Sequence, residues 1–334
     1  MAGISPRVVS TMTGPWPQPV ETILLPDFGY WGFLWRLVRA AKTADALILR
    51  GTSGFSERYA EAVAATLVKL VWRRRPLILV SDASWDLSSQ AIAQRLPKWA
   101  RPGLPKVARL AVRAGDGRHV VYGVLSSDER RSFERRWGID AHRVSFTPFY
   151  ATVPEALGAA VTDGRYVFAG GNTNRNYELL VAAADGLDAP VRIASTWAPS
   201  RPLPPNVEVD YTSVEEYHRR MAAAGVIVVP LRPSARSVGQ QTYLSAMLLG
   251  KPVIVTDAPG VRDYLVPGQH ALVVDNNEIA LRDALRWVLD PDNHDAVTAM
   301  AARGRRLVQE RYLRRHYYRT LYDLAIERAE RCRR

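Results

Sequence analysis

The feature that most constrains the fold is a repeating pattern in the second half of the chain, where short apolar, β-branched runs alternate with stretches of helix length. Such runs are typical of strands buried on both faces of a parallel sheet, because parallel strands need a crossover connection, usually a helix. The predicted strands are Tyr166–Ala169, Val191–Ala194, Val207–Asp210, Val226–Val229, Val253–Thr256 and Ala271–Val274. The predicted helices between them are Tyr177–Asp185, Val214–Ala224, Gln241–Leu249 and Glu278–Leu289. This order predicts a doubly wound, Rossmann-like α/β domain.

The first half of the chain repeats the pattern less regularly. Its predicted strands are Arg7–Thr11, Thr22–Leu25, Ala44–Leu49, Leu77–Val80, Val120–Leu125 and Val144–Thr147. A long helix is predicted from about Ser56, which can cap it, to Arg75, where Pro76 stops it. With 334 residues the chain can hold two domains of ~150 residues each. We predict α/β domains over residues 1–150 and 151–312, followed by a basic, tyrosine-rich helix over residues 313–334.

The charge of the chain is unevenly distributed. The formal net charge is +12, and residues 1–150 carry 22 Lys and Arg against 12 Asp and Glu, whereas residues 151–334 carry 23 against 21. A basic surface suggests a polyanionic partner such as nucleic acid or an acidic membrane face. Because the excess lies in the first half, we expect that domain to face an anionic ligand or surface and the second domain to have a different role.

The chain has one cysteine, Cys332. A single thiol excludes a disulfide framework and a cysteine metal cluster, and it is typical of a reducing compartment. No apolar run approaches the ~20 residues that cross a bilayer. We therefore expect a cytoplasmic protein.

The first motif is Phe168–Tyr177, in which a predicted strand enters a Gly170-Gly171 turn and then a helix with Arg175 near its start. Glycines let backbone amides approach a phosphate, and arginine supplies a bidentate cation. An ordinary structural turn is the alternative. The chain has neither a G-x-G-x-x-G stretch nor a G-x-x-x-x-G-K-[ST] stretch, so redox-dinucleotide and P-loop interpretations lose their main support.

The second motif is Pro230–Ile254, where a predicted buried strand ends at a proline and a polar loop leads into a helix. The amides of Gly239, Gln240 and Gln241 would point toward the carboxyl edge of the sheet, where open α/β domains bind ligands. The alternative is a plain strand–loop–helix crossover closed by Gly250.

These motifs, with Thr256–Gly260 and Asp263–Gly268, resemble the donor half of GT-B glycosyltransferases, most closely the large retaining group 1 family. The resemblance covers roughly residues 120–315. It implies two facing Rossmann-like domains, with the last helix crossing back onto the first domain. It also implies transfer of a sugar from a nucleoside-diphosphate sugar, bound by the second domain, to a hydroxyl acceptor.

The resemblance also implies roles for individual residues. The donor pyrophosphate would contact Gly170, Gly171 and Arg175. The donor sugar and phosphates would contact the amides of Gly239, Gln240 and Gln241. The nucleobase would lie beside Ser195, Thr196 and Trp197, with the indole either a stacking face or an exposed loop aromatic. The family often has two glutamates eight positions apart. Here Ser237 and Ser245 occupy those places, and they can bind hydroxyls but cannot act as paired carboxylates.

The expected chemistry needs stabilisation of a nucleoside diphosphate leaving group. Arg175 and the amides near Gly239 are suited to this without a metal, so we expect neither a metal nor another cofactor. An inverting enzyme would need a base, and Asp82 and Asp86, after the strongest strand of the first half, are the candidates. The alternative for both is a turn aspartate that caps a helix. A retaining enzyme, which the resemblance favours, needs neither.

Two segments of the first half suggest a surface role. Residues 91–118 contain seven Lys or Arg and one acid, interleaved with apolar residues. One interpretation is that this segment binds an anionic lipid interface, which would bring the enzyme to a lipid-linked acceptor. The alternative is a solvated helical face. The candidate contact residues are Arg95, Lys98, Trp99, Arg101, Lys106 and Arg109. An aromatic cluster could line an acceptor cleft, form core or dock a partner: Phe28, Tyr30, Trp31, Phe33 and Trp35.

Two other functions fit parts of the sequence. A sugar-nucleotide epimerase shares the fold and needs no separate acceptor. A nucleic-acid-binding protein would fit the isoelectric point of about 10.0, but no nucleic-acid module is recognisable, so nucleic acid is not the expected partner.

Overall fold

The computed structural model describes residues 6–51, 60–83, 103–154, 157, 164–234 and 236–333. The chain divides into two compact units. Unit 1 contains Met1–Pro148 and Arg315–Arg334, and unit 2 contains Phe149–Arg314.

Unit 1 is built on a six-stranded parallel sheet with the order β2-β1-β3-β4-β5-β6. Its strands are β1 Val8–Ser10, β2 Glu21–Thr22, β3 Ala46–Arg50, β4 Leu77–Ser81, β5 Val120–Val124 and β6 Val144–Phe146. Its helices include α1 Leu25–Ala40, α2 Ala60–Val71, α3 Leu104–Gly115 and α4 Ser127–Trp137. Buried side chains of the strands and of α1 and α2, such as Leu47 and Phe33, form its core.

Two boundaries predicted for unit 1 are wrong. The strand predicted at Thr22–Leu25 ends at Thr22, and Leu25 begins α1. Proline is well suited to the first helical turn because its missing N–H would have no helical partner there, and Pro26 stands at that position. The helix predicted to reach Arg75 ends at Val71, four residues earlier, so Pro76 is not the residue that stops it. Ser56, its predicted cap, lies outside the described residues.

The last helix, α10 Arg314–Arg333, lies almost wholly in unit 1. The Tyr318 hydroxyl donates to the Thr13 carbonyl at 2.7 Å, and its ring packs edge-on against Trp16 with 4.6 Å between centroids. Gly14 lies so close that a Cβ there would come within 2.0 Å of the Tyr318 ring. The tyrosine-rich end of the chain is therefore anchored on the segment that follows β1.

Unit 2 has its own six-stranded parallel sheet, in the order β12-β11-β10-β7-β8-β9. Its strands are β7 Val167–Gly170, β8 Val191–Ala194, β9 Val207–Asp210, β10 Val226–Val229, β11 Val253–Thr256 and β12 Leu272–Val274. Its helices are α5 Tyr177–Ala184, α6 Val214–Ala223, α7 Gln240–Leu248, α8 Glu278–Leu289 and α9 His294–Arg311. Each predicted strand of the second half is present within two residues of its predicted bounds. The doubly wound order follows from the buried, β-branched runs.

In the part of the chain that the structure describes, no helix is both long and apolar enough to span a bilayer.

Candidate active site

The strand order of unit 2 reverses between β7 and β10. These neighbours are parallel, with Val167 opposite Val226 and Ala169 opposite Val228, so their carboxyl ends lie at the same edge. Ligands of open α/β sheets bind at such a reversal, outside the carboxyl ends of the strands. The segments that follow β7 and β10 are the two motifs singled out from the sequence, which places them side by side at this edge.

The glycine turn after β7 depends on both of its glycines. A Cβ on Gly170 would come within 2.3 Å of the Tyr217 ring, so a larger residue would displace that ring. Gly171 has φ +103°, a conformation that glycine adopts without steric cost. The Tyr177 hydroxyl donates to the Gly171 carbonyl at 2.5 Å, and burial raises the pKa of Tyr177 to about 12. This phenol therefore stays protonated and fixes the turn through its hydrogen bond to the Gly171 carbonyl.

Arg175 joins the two motifs. Its Nε donates to the Gly170 carbonyl at 3.1 Å and its Nη1 to the Thr173 carbonyl at 2.7 Å. Its Nη2 donates to Thr242 Oγ1 at 3.0 Å, in the first turn of α7. A backbone bridge between Arg175 and Leu231 links the same segments. The guanidinium is thus held in one position between the glycine turn and the start of α7.

Sequence reasoning overlooked Asn174. Its φ is +50°, and among the described residues the one other non-glycine residue with a positive φ is Asp82, at +49°. Such conformations cost energy and cluster at functional sites. The Asn174 amide nitrogen Nδ2 is buried without a hydrogen-bond partner, which gives the turn a donor in addition to Arg175. The only sequence signal was an asparagine beside a glycine turn.

Helix α7 begins at the same edge with Gly239 as its N-cap. The first amides of a helix have no partner inside the helix, so those of Gly239, Gln240 and Gln241 remain for other acceptors. Gln241 is exposed, whereas Gln240 is buried and donates through Nε2 to Ser237 Oγ. At this helix end, the groups that remain for the predicted nucleotide-sugar are therefore the backbone amides and the Gln241 side chain. The side chains of Ser237 and Gln240 are hydrogen-bonded to each other.

Ser245 lies inside unit 2, with an exposed fraction of 1%. Its Oγ accepts from the amides of Thr152 at 3.0 Å and Val153 at 3.3 Å. It also lies 3.3 Å from Thr152 Oγ1. The hydroxyl predicted to bind the donor is thus already engaged by the segment that opens unit 2.

The loop after β8 is fixed by Asn172 and by α5. Asn172 Oδ1 accepts from Ser195 Oγ at 2.7 Å and from the Thr196 amide at 2.9 Å, so this loop lies next to the glycine turn. Trp197 is half-buried, and its Nε1 donates to Glu178 Oε1 at 3.1 Å. Its ring packs against Tyr177 with 5.4 Å between centroids. Trp197 is therefore oriented by the protein and is not a free loop aromatic.

Several predicted residues belong to unit 1. Asp82 follows β4 at the carboxyl edge of its sheet, whereas Asp86 lies outside the described residues. Four more of the predicted residues lie outside the described residues: Arg95, Lys98, Trp99 and Arg101.

Lys106 and Arg109 are exposed on α3, which the sequence pattern of residues 91–118 had indicated as a surface segment. A Cβ on Gly138 would meet Arg109 Nη2 at 2.8 Å, so this guanidinium lies at the C-terminal end of α4, a favourable place for a cation.

Residues 164–291 match the sequence model of the family described as glycosyl transferases group 1. The matched segment contains the glycine turn, Arg175, the loop after β8 and helix α7. The resemblance found in the sequence motifs is thereby confirmed for this segment, which lies within unit 2. No curated protein matches the chain.

Several solved structures align with most of this chain, and two of the three described here are named as glycosyltransferases. The glycosyltransferase of Rickettsia africae aligns with a TM-score of 0.63 at 12% identity, covering 95% of this chain and 84% of that one. HepE of Anabaena, solved with UDP and glucose, aligns with a TM-score of 0.60 at 14% identity over 94% and 86%. WaaG, a glycosyltransferase involved in lipopolysaccharide biosynthesis, aligns with a TM-score of 0.57 at 14% identity over 98% and 91%. The predicted GT-B fold class is confirmed.

Proposed function

We propose that this protein transfers a sugar from a nucleoside-diphosphate sugar to a hydroxyl acceptor. The observation that carries the proposal is the hydrogen bond of 3.0 Å from Arg175 to Thr242, which joins the two donor motifs across 67 residues of sequence. It places a fixed cation between a glycine turn and a helix N-terminus. All three are suited to bind phosphate oxygens.

The proposed role of these groups is to stabilise the leaving group. As the bond between sugar and phosphate breaks, negative charge grows on the nucleoside diphosphate, and preorganised donors stabilise it best. Arg175 already holds its position through protein contacts, so little reorganisation is needed when the charge develops. Asn174 Nδ2 adds a donor to the same turn. We propose that these groups make the reaction independent of a metal or another cofactor.

We propose a retaining outcome, in keeping with the matched family. A retaining reaction requires no base from unit 1, so Asp82→Asn should leave turnover close to that of the wild type. An inverting reaction with Asp82 as general base would instead lose about 10²–10⁴-fold. Anomeric analysis of the product by NMR spectroscopy decides the same question directly.

The proposed acceptor is lipid-linked, as in the synthesis of a cell-envelope polysaccharide or glycolipid. The support is the charge of residues 1–150, which exceeds that of the remaining chain by eight positive charges and suits an anionic membrane face. WaaG, which has the same fold, is involved in lipopolysaccharide biosynthesis. We place the protein in the cytoplasm, peripheral to the inner face of the membrane.

Turnover of nucleotide-sugars tests the proposal. The full chain is incubated with nucleoside-diphosphate sugars, beginning with UDP-glucose because HepE was solved with it, in the presence and absence of a bacterial lipid extract. We expect release of the nucleoside diphosphate that depends on the extract. Formation of an epimer without nucleotide release would overturn glycosyl transfer in favour of an epimerase.

A further inference from the structure

The exposed large apolar side chains of unit 1 are concentrated on one helical layer. In this layer α1 packs on α2, and α2 packs on α3. Among the described residues of unit 1, every exposed large apolar side chain lies on these three helices: Phe28, Trp31, Trp35, Val63, Leu70, Val71 and Leu110. Trp31 and Leu70 are the most exposed, at 79% and 74%. Two exposed tryptophans on one helix are unusual on a surface that meets only water.

The two tryptophans lie on α1, whose C-terminal end lies beside the C-terminal end of α2. Trp72, directly after α2, donates from Nε1 to the Val38 carbonyl of α1 at 2.7 Å, which brings the C-terminal ends of both helices together. Trp31 and Trp35 are four residues apart and share a side of α1. We call the surface of Trp31, Trp35, Leu70 and Val71 the tryptophan face.

Cations surround the tryptophan face. Arg36 stacks over the Phe28 ring at 4.1 Å and Arg39 over the Trp35 ring at 5.0 Å, so both guanidinium groups lie beside exposed aromatic rings. The exposed basic residues of α1, α2 and the turns that follow them are Arg36, Arg39, Lys42, Arg73, Arg74 and Arg75. The acids of the same segments are Asp27, at the opposite end of α1, the buried Glu61, and Asp45, which is half-buried and accepts from the Arg7 amide at 2.8 Å. The C-terminal end of this helix pair is therefore apolar and positively charged.

We propose that the tryptophan face docks on an anionic lipid membrane. Indole rings favour the interface between lipid chains and headgroups, and adjacent Lys and Arg gain energy from anionic headgroups. A second copy of this chain fits less well, because face-to-face pairing would bring two sets of six cations together. The aliphatic side chains of Leu70 and Val71 fit acyl chains better than they fit nucleic acid. The proposal does not depend on sugar transfer, but it accounts for how a lipid-linked acceptor would be reached.

Vesicle co-sedimentation of the full chain tests this proposal without any nucleotide-sugar, so its result is independent of the proposed activity. Vesicles of phosphatidylcholine alone are compared with vesicles that also contain phosphatidylglycerol. We expect binding to the anionic vesicles that weakens as salt is added, because exposed charges are screened within about 10 Å at 0.1 M salt. The W31S/W35S variant should lose most of this binding. The matched control Tyr211→Ser removes a comparably exposed aromatic ring, 73% exposed, from unit 2 and should bind normally.

A charge variant gives a second readout. Each arginine near an anionic surface strengthens binding about fivefold, so R36Q/R39Q should weaken it about 30-fold. R201Q/R306Q removes two exposed arginines from unit 2 and should change it less than twofold. Unchanged binding in W31S/W35S and R36Q/R39Q would overturn the proposal. So would a dimer in solution that W31S/W35S dissociates, since the face would then bind a second copy.

Discussion

Replacing Ser245 by alanine tests whether this serine supports the structure of unit 2. The substitution removes the acceptor of two backbone amides, those of Thr152 and Val153. Val153 is buried, so its amide would lose a partner that water cannot replace, at a cost of about 1–3 kcal/mol, while the amide of the exposed Thr152 can be hydrated. We expect Ser245→Ala to lower the free energy of unfolding by about 2 kcal/mol. For a unit of this size that lowers Tm by about 4–8 °C.

Differential scanning calorimetry measures this change in Tm. Isothermal titration calorimetry with a nucleoside diphosphate tests the alternative, that Ser245 contacts the nucleotide-sugar directly. Ser200→Ala, at an exposed serine of the same unit, is the matched control and should leave Tm unchanged. If Ser245 serves the chain itself, the variant melts earlier and binds the nucleotide with wild-type affinity. Unchanged Tm with weakened nucleotide binding would refute this reasoning and favour direct contact with the donor.

Three further substitutions give measurable results. Asn174→Gly should relieve the positive φ, so the free energy of unfolding should stay equal or rise by up to about 1 kcal/mol. The same variant should bind nucleoside diphosphate more weakly, because it loses the side-chain amide. Tighter binding would contradict a role of Asn174 in binding the nucleotide. Ser126→Ala should cost about 1 kcal/mol in urea unfolding, because its Oγ caps α4 by accepting from the Glu129 amide at 3.0 Å. Ser200→Ala, at an exposed serine outside this cap, is the control. Burial, reinforced by the charges of Arg75 and Lys69, lowers the pKa of His119 from 6.5 to about 4, so the unfolded chain takes up this proton first as pH falls. Stability should therefore decline between about pH 6.5 and pH 4, and His119→Gln should flatten that decline in urea titrations at several pH values.

The doubly wound sheet of unit 2 follows directly from its sequence. Buried parallel strands must be apolar on both faces, so runs such as Val226–Val229 stand out from the amphipathic helices around them. The first half is harder to predict because β1 and β2 are only three and two residues long. Helix α1 also contains Gly29 with φ +65°, which interrupts its helical periodicity.

The candidate site is only partly readable from sequence. The glycine turn and the start of α7 carry local signals, because glycine and a strand–loop–helix transition mark positions where backbone amides are available. The hydrogen bond from Arg175 to Thr242 has no such signal, since it depends on β7 and β10 being neighbours. The partners of Ser245 are equally hidden, because a serine in a helix looks the same whether it faces a ligand or another segment of the chain.

Calorimetric titration of nucleoside diphosphates into the wild-type chain and into Arg175→Ala tests the central claim most directly. A guanidinium that binds a phosphate oxygen contributes about 2–3 kcal/mol, so the variant should bind the preferred nucleotide about 30–150-fold more weakly. Arg303→Ala removes an exposed arginine that donates to the Gln269 carbonyl at 2.9 Å elsewhere in unit 2, and it should retain wild-type affinity. Equal affinity of Arg175→Ala and the wild type, or no nucleoside diphosphate binding by the wild type, would contradict a donor site at the carboxyl ends of β7 and β10.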